Sequence, residues 1–142
     1  MRKLIVHEFV TLDGVMQAPG GKDEDTDGGF THGGWTGPYW HDNIGAAFFR
    51  LMQDVDAFLL GRRTYVGHAV AFEPMQPGDP FGDVMNAPKK YVVSKTLKEP
   101  TWRNTTIIRD NPTVPISSVS VWISSLAECI PSLTGSISSL TE

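Results

Sequence analysis

Apolar positions along the chain follow two different periods, and their alternation predicts the elements. Residues 3–10, KLIVHEFV, are rich in Ile, Val and Phe without helical spacing, and TLDG closes them with turn chemistry, which predicts a buried first strand. In HDNIGAAFFRLMQDVD the period lengthens: Ile44, Ala47, Phe48, Leu51 and Val55 share one helical face behind a cap at Asp42 or Asn43. DAFLLG is a short continuous apolar strand bounded by Gly61, and RRTYVGHAVAF opens a second helix that stops before Glu73 and Pro74. KKYVVS and NTTIIR, joined by the turn TLKEPTW, supply a third and a fourth strand of β-branched residues. SVSVWI predicts a fifth, followed by a short amphipathic helix in SSLAECIPSL that Pro131 limits. Strands separated by helices predict an α/β domain around a largely parallel sheet.

Two segments carry neither period. Residues 17–39 hold seven glycines and no apolar repeat, which predicts a long loop of the kind that is functional or mobile. EPMQPGDPFGDVMNAP has four prolines and two glycines and reads as a second surface loop. After Asp110 the composition changes: residues 111–142 contain nine serines, two charged residues and no Lys or Arg.

Composition narrows the picture. A chain of 142 residues fits one compact domain, and 40% hydrophobic residues with 20% charged and a net charge of -4 exclude a disordered or membrane profile and a general nucleic-acid coat. The N-terminus has no small-residue cleavage site and the chain has no long apolar run, so neither secretion nor a membrane is expected. The single cysteine, Cys129, can form no internal disulfide and has no partner cysteines for zinc, which suits a cytoplasmic protein. It reads as a small buried apolar residue.

The candidate chemistry lies where strands end. Gly61, Arg62, Arg63 and Thr64 follow the second strand and open a helix, so a glycine, two guanidinium groups and a hydroxyl meet unpaired helix N–H groups. That set suits a nucleotide phosphate; the alternative is a plain turn with Thr64 as cap and solvated arginines. Ser94, Lys95 and Thr96 form a similar set after the third strand, which a parallel sheet would align with Gly61. A cation there can recognise the 2′-phosphate that distinguishes NADPH from NADH, and a polar turn is the alternative.

VTLDGVMQAPG, LLGRRTYVGHAVAFEPM, KKYVVSKTL and W-x-NTTII together resemble the dihydrofolate reductase-like family, which includes the reductase domain of the riboflavin-biosynthesis deaminase/reductase. The resemblance covers residues 2–109, in the family's order and spacing. It implies a central, mostly parallel sheet flanked by helices in a single domain, with NADPH across the strand ends. It also implies that Gly61, Arg62, Arg63 and Thr64 hold the cofactor phosphates and that Ser94 and Lys95 lie near the 2′-phosphate. Asp13 and Gly14 would lie near nicotinamide and substrate, and the glycine-rich loop would be a substrate-side lid. The activity implied is hydride transfer to a pterin-like, pyrimidine-like or carbonyl compound. Asp13 is the nearest carboxylate by motif, either a proton donor or a cap for backbone N–H groups.

The remaining polar residues read as structural. His32, His41 and Asp42 match no compact metal-ligand spacing, and Asp23, Glu24, Asp25 and Asp27 lack a calcium pattern. His7 reads as a strand histidine and His68 as one that packs within its helix or caps it. Trp35, Tyr39 and Trp40 either seal the loop or line a pocket.

The C-terminal part departs from the family pattern. A Gly-Ser or Gly-Gly turn is expected after a further strand, but Ile123 stands at the glycine position and Ser124 is the only matching polar residue, counted here with the cofactor set. The closing strands are expected to be missing or altered, as by a changed ending after Asp110, and the edge this leaves predicts a homodimer. A non-catalytic oligomeric relative with an incomplete dinucleotide site is therefore the alternative to an active reductase.

Overall fold

A computed structural model of the protein describes residues 4–110 and the backbone of the strand at 121–124. Five strands, β1 (Leu4–Val6), β2 (Ala57–Gly61), β3 (Lys89–Val93), β4 (Thr105–Ile108) and β5 (Val121–Ser124), alternate with helices α1 (Asp42–Met52), α2 (Arg62–Phe72) and α3 (Pro80–Asn86). They form one sheet in the order β1-β5-β2-β3-β4. Every neighbouring pair is parallel, the α/β architecture that the alternation of periods predicts.

Two elements differ from expectation. The first strand ends at Val6 instead of running to Val10: its partner among the described residues, β5, pairs Leu4, Ile5 and Val6 with Val121, Trp122 and Ile123. The stretch read as a surface loop contains α3. Its start is built by Asp79, whose carboxylate accepts from the N–H groups of Phe81 (2.9 Å) and Gly82 (2.8 Å), with Pro80 in the first turn, where a missing N–H leaves no bond unmade. Gly82 fits because a Cβ there would come within 2.7 Å of the Met75 Cβ. The helix expected in SSLAECIPSL, with Cys129, lies outside the described residues.

The chain divides into two compact units, Met1–His7 with Met52–Glu142, and Glu8–Leu51. In the first, all five residues of β2 are buried, as a central parallel strand requires. Tyr65 and Ala69, one turn apart, form the buried stripe of α2. Trp102 stacks on Phe58 and Phe72 at ring separations of 6.1 and 6.0 Å. Its indole N–H donates to Asn86 Oδ1 (2.6 Å), and its backbone N–H and that of Thr101 both donate to the Tyr65 hydroxyl. Lys90 is buried against this layer: Nζ donates to the Asn86 carbonyl (2.6 Å) and lies 4.5 Å from the centre of a Trp102 ring.

The second unit contains the glycine-rich loop, which is braced by its own atoms. Gly34 N donates to Ala18 O and Thr36 N to Pro19 O, while the Trp35 indole donates to Gln17 O (2.9 Å). The Glu24 carboxylate accepts from the N–H groups of Gly20 and Gly21. At Gly33 a Cβ would lie 2.4 Å from the Lys22 carbonyl, so only glycine allows the two limbs of the loop to touch. Trp35 thus seals the loop; Tyr39 and Trp40 stay exposed, Trp40 with its ring 6.1 Å from that of Phe9.

Candidate functional site

The parallel register sets the site. Gly61, the last residue of β2, is level with Val93, the last of β3, and Val93 is level with Ile108, the last of β4. Arg62 and Ser94 therefore leave neighbouring strands side by side. Ser124 of β5 is level with Leu60, so its backbone joins the same end of the sheet. The expected pairing of the GRRT and SK sets at adjacent exits is what the register produces.

At the first exit, Gly61 is the N-cap of α2 with φ -73° and ψ 162°, extended backbone open to any residue. Glycine is not needed for the turn. No side chain caps the helix and no acidic residue stands in its first turn. The leading N–H groups of α2 thus receive no bond from the cap residue, and Arg62 and Arg63, both exposed, add positive charge where the helix dipole is already positive. Thr64 is half-buried and does not cap the helix, which removes that structural explanation for it.

At the second exit the serine has a different role from the one expected. Ser94 is buried, and its Oγ accepts from the N–H groups of Thr96 (3.2 Å) and Leu97 (3.0 Å), so the oxygen braces the turn and only the hydroxyl proton remains to donate. Lys95, inside that turn, is exposed. Ile123 stands in the ladder, level with Val6 and Leu59, because β5 runs on through Ser124; it does not occupy a turn as expected.

Asp13 and Gly14 lie in the Glu8–Leu51 unit. They form a tight turn in which Gly14 N donates to Thr11 O, Thr11 N to Val15 O and Val15 N to Thr11 Oγ1. Gly14 has φ +89°, a conformation that favours glycine. The Asp13 carboxylate accepts from the Thr11 hydroxyl, and that bond, helped by its own backbone N–H, holds its pKa below the ordinary carboxylate value. Asp13 is exposed, and its carboxylate anchors this turn through Thr11. His7, just beyond β1, is half-buried, and burial lowers its pKa.

Among the described residues no group of three or more His, Cys, Asp or Glu side chains could hold a metal ion, and no helix is long and apolar enough to cross a membrane. Sequence reasoning missed Arg109, the residue after β4, whose guanidinium donates to the Lys98 carbonyl (3.0 Å). Its position one step past a strand end was a usable signal.

The fold is a parallel α/β sheet with cations and a helix start at its strand ends. The RibD C-terminal domain family matches residues 2–126, and the chain belongs to that family of dihydrofolate reductase-like reductase domains. The match continues past Arg109 through β5, so the change of composition after Asp110 falls inside the family's span as far as residue 126. No curated protein matches the chain.

Proposed function

We propose that the protein is an NADPH-dependent reductase that transfers a hydride to a small pterin-like, pyrimidine-like or carbonyl compound. The observation that carries this reading is the level placement of Gly61 and Val93, which puts the uncapped start of α2 beside the Ser94–Lys95 turn. The residues fit the cofactor. A helix start whose first turn holds two arginines and no acidic residue is a favourable place for a dianionic group.

In this reading the N–H groups at the start of α2 receive the pyrophosphate and Gly61 lets it approach the backbone. Arg62 and Arg63 neutralise it, with Thr64 Oγ as a further donor. Ser94 and Lys95 take the 2′-phosphate, and the Ser124 end of β5 lies at the same edge of the site. The cofactor, when bound, supplies the hydride. The chain's own residues bind and orient it, and Asp13 is the carboxylate that the family resemblance offers as proton donor. Pairing of an outer sheet edge, β1 or β4, with a second copy makes the working form a homodimer, and light scattering reads its mass.

The test is a thermal-shift titration of the full-length chain with NADPH and NADH. A ligand specific to the native state at a hundred times its Kd adds about 2.7 kcal/mol to stability. A saturable shift with NADPH and a weaker one with NADH is expected; a folded chain that shows neither overturns the reading. Saturable binding with no substrate-dependent loss of nicotinamide absorbance would select the alternative, a relative that binds the dinucleotide without turnover.

A further inference from the structure

The turn that carries Lys95 is held from outside by β4. Ser94 N donates to the Ile108 carbonyl at 3.0 Å, and four residues further along the chain the Lys98 carbonyl accepts from Arg109 Nη2, also at 3.0 Å. Ile108 and Arg109 are consecutive, so the strand's last residue and the one after it staple both ends of the segment 94–98. Between the staples Ser94 Oγ accepts from Thr96 N and Leu97 N. With those amides engaged, Lys95 and Thr96 are the exposed residues on an anchored frame.

We propose that Arg109 is a positioning residue for recognition of the adenosine 2′-phosphate, acting through Lys95; this rests on the NADPH reading above. A lysine has four rotatable bonds and a strongly hydrated head, so its hold on a phosphate depends on how much of its freedom is already lost before binding. The bonds of Ser94 reach as far as Leu97 and leave the end of the segment to another group. The Arg109 bond to Lys98 fixes that end. Its guanidinium, with a carbonyl as partner, holds the backbone instead of taking the ligand itself.

The test uses the full-length chain with 2′,5′-ADP and 5′-AMP, which differ by the 2′-phosphate, measured by calorimetry on wild type, Arg109→Ala, Lys95→Ala and the double variant. Arg109→Ala is expected to weaken 2′,5′-ADP about three- to tenfold, the scale of one hydrogen bond, and to leave 5′-AMP unchanged. The double variant is expected to match Lys95→Ala, since one residue acts through the other. Amide exchange at Thr96 and Leu97 is expected to quicken in Arg109→Ala. Unchanged affinity, unchanged exchange, or an equal further loss when Lys95 is already alanine overturns the proposal, the last because Arg109 would then meet the phosphate directly. A wild type that binds both nucleotides alike removes the NADPH reading, and this inference with it.

Discussion

Two cations at each end of the sheet are used in opposite ways. At the end where the strands begin, Lys90 is sealed against Trp102 and Asn86, and Arg103 grips Glu73 through its backbone N–H, its Nε and a bond from Nη2 to the Glu73 carbonyl. Every one of these cations closes a contact between α2, α3 and the start of β4. At the end where the strands finish, Arg62 and Lys95 stand exposed on a helix start and a turn that are rigid without them. A cation that ties elements together is part of the fold; a cation held out from an anchored backbone is available for a ligand. The same residue types thus separate into structural and binding roles by what surrounds them.

The strongest way to break this comparison is Trp102→Ala. It removes a ring stacked on Phe58 and Phe72 and leaves Asn86 Oδ1 without its indole donor. A loss of about 3–5 kcal/mol is expected in denaturant unfolding. NADPH affinity of the protein that remains folded should hold, and a selective loss of affinity would show that the two ends are not separable.

Acid probes the same layer. His68 packs at 5.4 Å from the Phe72 ring, and burial pushes its pKa down to about 4. Between that value and the unfolded value near 6.5 the unfolded chain binds a proton that the folded one refuses, so stability rises with pH across this window and falls as pH drops through it. The loss should approach about 3 kcal/mol and vanish in His68→Phe. Lys90 gives a second window: burial, partly offset by Glu73, lowers its pKa from 10.5 to about 8, and between these values stability again rises with pH. Lys90→Met should flatten that rise. It should also stabilise the protein at neutral pH by roughly 1–3 kcal/mol, since Asn104 Nδ2 still donates to the Asn86 carbonyl. A destabilised variant would mean that Lys90 is needed for the packing of Trp102.

Much of this was legible in the sequence, and the exceptions share a cause. The start and stop of α2 follow from Gly61 before it and the Glu73–Pro74 pair after it, and the level exits follow once the strands are taken as parallel. α3 was hidden because its prolines and glycines read as loop chemistry, although Asp79 followed by Pro80 is a helix-start signal. Burial of Lys90 and Trp102 was not legible, since each depends on partners brought from α2 and α3 by the fold. The bracing of the glycine-rich loop links Ala18 to Gly34 and Gln17 to Trp35 across sixteen or more residues, beyond the reach of any local period. Ser94 reads both ways, because a serine after a strand offers the same hydroxyl to a ligand or to its own backbone.

The smallest expected effect on stability is the sharpest test of the comparison. Arg62 is the first residue of α2, exposed, at the positive end of the helix and without an acidic neighbour in that turn. If it makes a fold contact like that of Arg103 with Glu73, replacing it with glutamate must cost stability. If it is held out for a ligand, the unliganded protein carries an unfavourable charge there, and Arg62→Glu should raise stability by about 0.3–1 kcal/mol by matching the dipole. The same change should lower NADPH affinity by about tenfold or more, because a carboxylate then faces the pyrophosphate. The two measurements must move in opposite directions, a signature that neither misfolding nor loss of a structural contact can imitate. A fall in both would return Arg62 to the role that Arg103 has at the other end of the sheet.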